Sequence, residues 1–298
     1  MNYDNMPPKV SVVMCCYNAE RYVKETIDSV LNQTFQDFEF IIWNDGSTDR
    51  SKEIIEGYTD KRIRVYSDIN RGEGKAAQLA CGKVRAKYIC RVDSDDIWLP
   101  EKLEIEYEYM ETHPQVVLIS CPSIYIDSNS RELGLTFPIT KKSYLAKTIN
   151  INNRFVHSGS MYRTDIYKKT GGYKDLRLFQ DWLLFNQISE YGSLALMSKP
   201  LIKYRLLPNS IMHRIEKSPY LPIIKEFQRK IIKDKGKNEE DLELFNSLYK
   251  LIGNKPDDEI TNVYDPDIQN KIYQILHKIV GAELAYKTII FLMNTFAR

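Results

Sequence analysis

The 298-residue sequence predicts an α/β protein with a mostly parallel sheet flanked by helices. Two patterns point there. Short β-branched runs alternate with segments of helical spacing through the first half of the chain, the rhythm of repeated βαβ units. Those runs are also continuous in apolar character, FEFIIW at 38–43 most of all, as suits strands buried on both faces.

Strands are expected at residues 10–14, 38–43, 63–66, 88–92 and 116–120. Between them, Val23, Ile27, Val30 and Leu31 keep helical spacing, as do Ile54, Ile55 and Tyr58. A further helix begins at Pro100, a favoured first helical position, and stops near His113 and Pro114. From about Ser123 the pattern loosens into a polar loop at 127–132, a Gly171-Gly172-Tyr173 turn, an amphipathic stretch at 180–190 and strand-like runs at 194–197 and 201–204. Helical spacing resumes past residue 215, which divides the chain into residues 1–215 and a helical C-terminal region, 216–298.

Hydrophobic residues make up 43% and charged residues 28% of the chain, which excludes general disorder. A net charge of +2 gives no bulk attraction to nucleic acid, so no such partner is expected. The opening MNYDNMPPK lacks the apolar core of a secretory signal. Five cysteines without CxxC spacing, Cys15, Cys16, Cys90 and Cys121 among them in apolar runs, read as reduced thiols. Together these features predict a cytoplasmic protein.

In doubly wound sheets ligands bind beyond the carboxyl ends of the strands, and the polar clusters CCYN, NDGSTD and DSDD fall there. In NDGSTD, Gly46 permits a tight turn and Ser47 to Asp49 suit the cap of the next helix. A plain β-to-α turn leaves Asn44 and Asp45 without a task, and an aspartate there could accept a hydrogen bond from a pyrimidine ring N–H. In DSDD the carboxylates of Asp93, Asp95 and Asp96 repel one another unless a cation or donor offsets them. A hard divalent cation, Mg2+ or Mn2+, which completes its shell with phosphate oxygens, is the natural compensation, and a helix cap by Asp95 or Asp96 is the plainer alternative. NRGEGKAAQ lacks the first glycine and the final Ser or Thr of a phosphate-binding loop, and no GxGxxG follows the first strand.

SVVMCCYNAERY, SVLNQTFQDFEFIIWNDGSTD, the NRG at Asn70 to Gly72, DSDDIW, GGY and QDW follow one another in the order and approximate spacing of the family-2 glycosyltransferases of GT-A fold. The chain resembles that family over roughly residues 9–210, and within it the bacterial enzymes that build polysaccharides such as O-antigen, capsule or exopolysaccharide. The resemblance implies a role for each matching position. Tyr17 would stack on the nucleotide base and Asp45 would bind it. Asp93 would hydrogen-bond the ribose, and Asp95 would ligate the metal bridging the two phosphates. Arg71 and Lys75, in the loop after the third strand, would add contacts to the nucleotide. Asp181 would be the base of an inverting transfer. The family usually reads Glu-Asp there, and Gln180-Asp181 departs from it in a way that bears on acceptor preference.

The expected donor is a uridine diphosphate sugar and the expected acceptor a glycan or lipid-linked glycan. Transfer of one sugar is expected, because the Gln-x-x-Arg-Trp motif of processive polymerases is missing. His157 falls where the family lines its acceptor pocket, as an acceptor contact or a surface or packing residue, and Ser158 and Ser160 read as loop hydroxyls. His213 is not clearly at the offset of a metal ligand. One rival, a sugar nucleotidyltransferase, needs a glycine-rich basic loop after the first strand, which CCYNAER is not. The other, a nucleotide-sugar-binding protein without catalysis, draws support only from Gln180.

The apolar tail at 279–297 is interrupted by Glu283 and Lys287 and is too broken for a spanning helix. Two readings remain for the C-terminal region: helices packed on their own domain or on a second copy, and an amphipathic anchor at the inner face of the cytoplasmic membrane.

Overall fold

The computed structural model describes residues 6–136, 155–207 and 221–253. The chain divides into two compact units, Met1–Leu207 and Pro208–Arg298. The first opens with the expected alternation: β1 (Val10–Cys16), α1 (Val23–Leu31), β2 (Phe38–Asp45), α2 (Ser51–Glu56) and β3 (Ile63–Asp68). Next come α3 (Glu73–Cys81), β4 (Tyr88–Asp93), β5 (Ile97–Trp98), α4 (Lys102–Thr112) and β6 (Val116–Ser120). The looser part supplies β7 (Ser123–Ile126), β8 (Glu132–Leu135), β9 (Met161–Arg163), α5 (Thr164–Lys169), α6 (Gln180–Ile188), β10 (Ser193–Leu196) and β11 (Ile202–Arg205).

Seven strands form the main sheet in the order β10-β6-β9-β4-β1-β2-β3. All its pairings are parallel except those of β9, which runs antiparallel between β4 and β6. Successive strand residues point to opposite faces, so each strand feeds two cores. Val12, Met14, Phe40, Ile42, Cys90 and Val92 join Val23, Ile27 and Val30 of α1 and Leu103 and Met110 of α4. Val13, Ile41, Trp43 and Ile89 join Ala76, Ala77 and Ala80 of α3 and Leu184, Phe185 and Ile188 of α6. Every residue of β2 is buried, because helices cover both sides.

A smaller sheet, β5-β11-β7-β8, lies beyond the end of β4. In the second unit, α7 (Leu221–Asp234) and α8 (Glu239–Gly253) pair through Phe227 on Phe245, ring centroids 5.9 Å apart, and Lys230 on Asp241 at 2.8 Å. Among the described residues, no helix is long and apolar enough to cross a membrane. The tail at 279–297 and His213 lie outside the described residues.

Candidate functional site

The carboxyl ends of β1, β2 and β4 bring the polar clusters together. Tyr17 follows β1 with half its surface exposed (50%). Asp45 ends β2 and is buried. The sequence left it and Asn44 without a local task, and the structure gives both one. Asp45 accepts the backbone N–H of Arg71 and of Gly72, each at 2.9 Å, and Asn44 accepts that of Ser47 at 3.2 Å. Each Asp45 oxygen keeps a second lone pair.

Arg71 and Lys75 do not sit together in a loop as expected. Lys75 is on the first turn of α3, with its Nζ 2.7 Å from Gln78, while the Arg71 guanidinium pairs with Asp68 at 2.6 Å. Gly72 starts α3 at φ +87, and a Cβ there would meet the Arg177 guanidinium at 2.4 Å. At Gly74 a Cβ would lie 2.3 Å from the Leu176 carbonyl oxygen. Segment 174–177 therefore lies flush on the start of α3, and it leads directly to Gln180 and Asp181. Phe179, buried and left-handed at φ 48, makes the bend that begins α6.

In DSDD neither Asp95 nor Asp96 caps a helix, since α4 begins at Lys102. Asp96 is structural instead. Its Oδ1 accepts the backbone N–H of Arg205 at 2.8 Å, while Arg205 Nε donates to the Asp95 carbonyl at 2.8 Å. Burial and the neighbouring Asp95 and Asp93 push the Asp96 carboxyl well above the carboxylate range. Asp95 is pushed up to about 6 by burial and then by Asp93. Asp181 is likewise pushed up to about 6 by burial, with Asp93 adding to it and backbone hydrogen bonds opposing. Asp93 thus acts on both Asp95 and Asp181, the latter from an element far away in sequence.

Behind Asp93 stands Arg91, fully inside the protein. It donates from Nε to His157 Nε2 at 3.2 Å and from Nη1 to the Val13 carbonyl at 3.3 Å, and its Nη2 lies 3.7 Å from Asp93 Oδ1. Tyr173 places its hydroxyl 2.7 Å from the same His157 nitrogen. Burial and Arg91 hold the imidazole well below its usual pKa, so it is neutral. With Nε2 accepting, the proton sits on Nδ1, which faces Glu73 Oε1 and Asp93 Oδ1, both at 3.6 Å. His157 is therefore a buried hydrogen-bonding residue and not a surface one. Ser158 and Ser160 are also inside, and Ser158 Oγ accepts the Asp93 backbone N–H at 3.0 Å.

Glu73, missed in the sequence, completes the group: burial, then Asp93, push its carboxyl up to about 8, with Asp181 adding to it. Its surroundings come from α3, β4 and α6, so only the fold reveals them. Arg91 and Arg205 were missed too. An arginine inside the apolar run YICRV was the available signal for Arg91.

Among the described residues, Glu73, Asp93 and His157 offer one atom each within 4.8 Å of one another, a cation-sized group. Hard carboxylate oxygens there and on Asp95 suit Mn2+ or Mg2+, and burial raises the Asp93 and Asp95 carboxyls, with Asp93 adding to Asp95, a cost that a bound cation would offset. His157 fits that role less well, because its lone pair is turned to Arg91.

A mostly parallel sheet with an acidic site beyond its strand ends has the layout in which α/β proteins bind their ligands. The description Glycosyl transferase family 2 matches residues 11–171. An uncharacterised glycosyltransferase of Methanocaldococcus jannaschii is 34% identical over 219 residues, 70% of this chain and 75% of that one. The putative teichuronic acid biosynthesis glycosyltransferase TuaG of Bacillus subtilis is 30% identical over 228 residues, 70% and 82% of the two chains. In three dimensions, S. aureus TarS bound to UDP-GlcNAc superposes with a TM-score of 0.63 at 17% identity, over 97% of this chain and 80% of that one. The mannosyltransferase PcManGT of Pyrobaculum calidifontis, bound to GDP-Man and Mn2+, gives 0.58 at 14% identity, over 99% and 82%. The chain belongs to glycosyltransferase family 2 and has the GT-A fold.

Proposed function

We propose that this glycosyltransferase moves a single sugar from a uridine diphosphate sugar to a glycan or lipid-linked glycan in the building of a bacterial polysaccharide, with residues 1–215 as its catalytic domain. The observation that carries the reading is the gathering of Asp95 and Asp181 about Asp93, all three carboxyls raised by burial and those of Asp95 and Asp181 raised further by Asp93. Tyr17 offers an exposed ring to the base, and Asp45 offers its remaining lone pairs to a ring N–H. Asp93 accepts from the ribose hydroxyls. Arg71 and Lys75 give the nucleotide cationic contacts by leaving Asp68 and Gln78.

The acceptor hydroxyl oxygen bonds to the anomeric carbon on the face opposite the diphosphate. The carbon–oxygen bond to the diphosphate breaks and its electron pair leaves with the diphosphate. The hydroxyl proton passes to the Asp181 carboxylate, and the anomeric configuration inverts. A divalent ion at Asp95 would neutralise charge on the departing diphosphate.

Titration of the full chain with uridine and guanosine diphosphates, each with and without Mn2+, tests the donor side. Metal-dependent binding of uridine diphosphate is the expected result, and binding of neither nucleotide would overturn the reading. Binding of a nucleotide sugar without any turnover across acceptors would make this a binding protein instead.

A further inference from the structure

No motif gives Glu73 a role, yet it stands at the junction of every part of the site. It is the first residue of α3, next to Gly72, whose N–H is held by Asp45 at the base end. Its carboxyl oxygen lies within 4.8 Å of an Asp93 oxygen, and Asp181 acts on it as well, so it stands between the ribose end and the reacting end. The moiety that occupies that interval in a nucleotide sugar is the sugar.

We infer that Glu73, held by the Gln180 side chain, reads a hydroxyl group of the transferred sugar and selects an uncharged sugar. The inference rests on the donor reading above. Three observations carry it. Glu73 is reachable, with 37% of its side chain exposed. Gln180 hydrogen-bonds Glu73 and is 5% exposed, and its own Oε1 has no partner. That closed-in acceptor calls for a donor the chain does not supply, and a small rotation of the amide would let a ligand at Glu73 supply it. The competing role, a third ligand to a cation shared with Asp93 and His157, loses its nitrogen donor because the Nδ1 proton faces the carboxylates. A sugar hydroxyl brings a donor to Glu73 and to Gln180 Oε1 without adding negative charge to a site that already holds Asp93, Asp95 and Asp181. A carboxylated sugar would add it.

The test is calorimetry on the full chain with Mn2+, using uridine diphosphate and then UDP-N-acetylglucosamine, UDP-glucose, UDP-galactose and GDP-mannose, for the wild type, Glu73→Gln, Glu73→Ala and Gln180→Ala. Far-UV circular dichroism and the melting temperature check folding. For whichever sugar nucleotide the wild type prefers, Glu73→Ala should weaken binding by about 3- to 10-fold, the loss expected for a hydrogen bond at a carboxyl that its surroundings keep neutral. Gln180→Ala should weaken it less, and Glu73→Gln should retain part of it. Binding of the bare diphosphate should stay within about twofold, as no hydroxyl-reading contact reaches it. Equal loss for diphosphate and sugar nucleotide would assign Glu73 to the metal or nucleotide and overturn the inference. So would unchanged affinities, or a wild type for which no sugar adds to the affinity of its diphosphate. A wild type that binds no nucleotide of any kind would instead remove the donor reading itself.

Discussion

Asp181→Asn separates chemistry from stability in a way few other substitutions would. The aspartate is largely enclosed, and burial with Asp93 nearby raises its pKa from 3.8 to about 6. Its folded form binds the proton more tightly than the unfolded chain does, so the folded state carries more protons between those values and stability falls as pH rises through them. About 2 units at about 1.4 kcal/mol each make ionised Asp181 a burden of up to about 3 kcal/mol at pH 7. Asparagine carries no such charge and keeps an oxygen for the backbone hydrogen bonds. The metal-free variant should therefore be more stable than the wild type at pH 7 by up to about 3 kcal/mol in urea unfolding, and the gain should vanish near pH 4. In the same variant, release of uridine diphosphate in the presence of acceptor should drop by about 100-fold or more, the contribution of a general base. Wild-type kcat/KM should rise with pH up to about 6 and then level. A variant that turns over normally, or one less stable than the wild type at pH 7, would refute the assignment and its electrostatic basis.

Asp95→Ala should abolish the Mn2+ dependence of nucleotide affinity in calorimetry while leaving the fold intact, and undiminished dependence would move the ligand role elsewhere. Lys102 and Glu106 form an ion pair with no exposed surface, Nζ to Oε2 at 2.5 Å, and the ammonium sits 4.3 Å from the Trp98 ring centroid. Lys102→Met alone should destabilise by about 3–5 kcal/mol in denaturant unfolding, because Glu106 is left buried and uncompensated, while adding Glu106→Leu should restore most of the loss. Gly74→Ala drives a Cβ into backbone at Leu176 and Lys174, so the segment leading to Asp181 must shift, and kcat should fall by about 10- to 100-fold with a smaller effect on diphosphate binding.

Much of the parallel sheet was legible because its strands are continuous apolar runs and its first helices keep clean spacing, as in Val23, Ile27 and Val30. Helix α3 was not. Its sequence EGKAAQLAC offers small residues where a stripe of large ones is usually sought, since Ala76, Ala77 and Ala80 lie directly against the sheet. Strand β9 is three residues long and antiparallel among parallel neighbours, and β5 has two residues, so neither holds a period to detect. At the site, the carboxylates of DSDD stood out by their density, but the division of labour among them did not. Asp96 is taken by the Arg205 backbone, a partner 109 residues away that no local pattern announces. Gln180 could be seen only as a departure from the family's usual Glu-Asp. Its hydrogen bond to Glu73 gives that departure a physical content, since a glutamate at 180 would put a second carboxyl against the first.

The state of His157 decides how the acidic group handles a cation. An imidazole has one lone pair when neutral, and here Nε2 accepts the Arg91 N–H at 3.2 Å, with the Tyr173 hydroxyl 2.7 Å away. Turning the ring's proton to Nε2, as ligation through Nδ1 requires, would set an N–H against the Arg91 N–H and leave that buried Arg91 donor without its acceptor. Arg91 cannot move aside easily, for it is buried and tied also to the Val13 carbonyl and the Cys15 sulfur. His157 therefore turns its Nδ1 proton towards Asp93 and Glu73, and its lone pair is committed to Arg91. His157→Asn, whose amide N–H can stand near the place of Nδ1–H, should keep Mn2+ affinity within about threefold of wild type by competition titration. A loss of about 10- to 100-fold or more, the scale on which metal sites respond to altered surroundings, would mean that the ring does turn, that Arg91 yields, and that the cation sits at Glu73, Asp93 and His157.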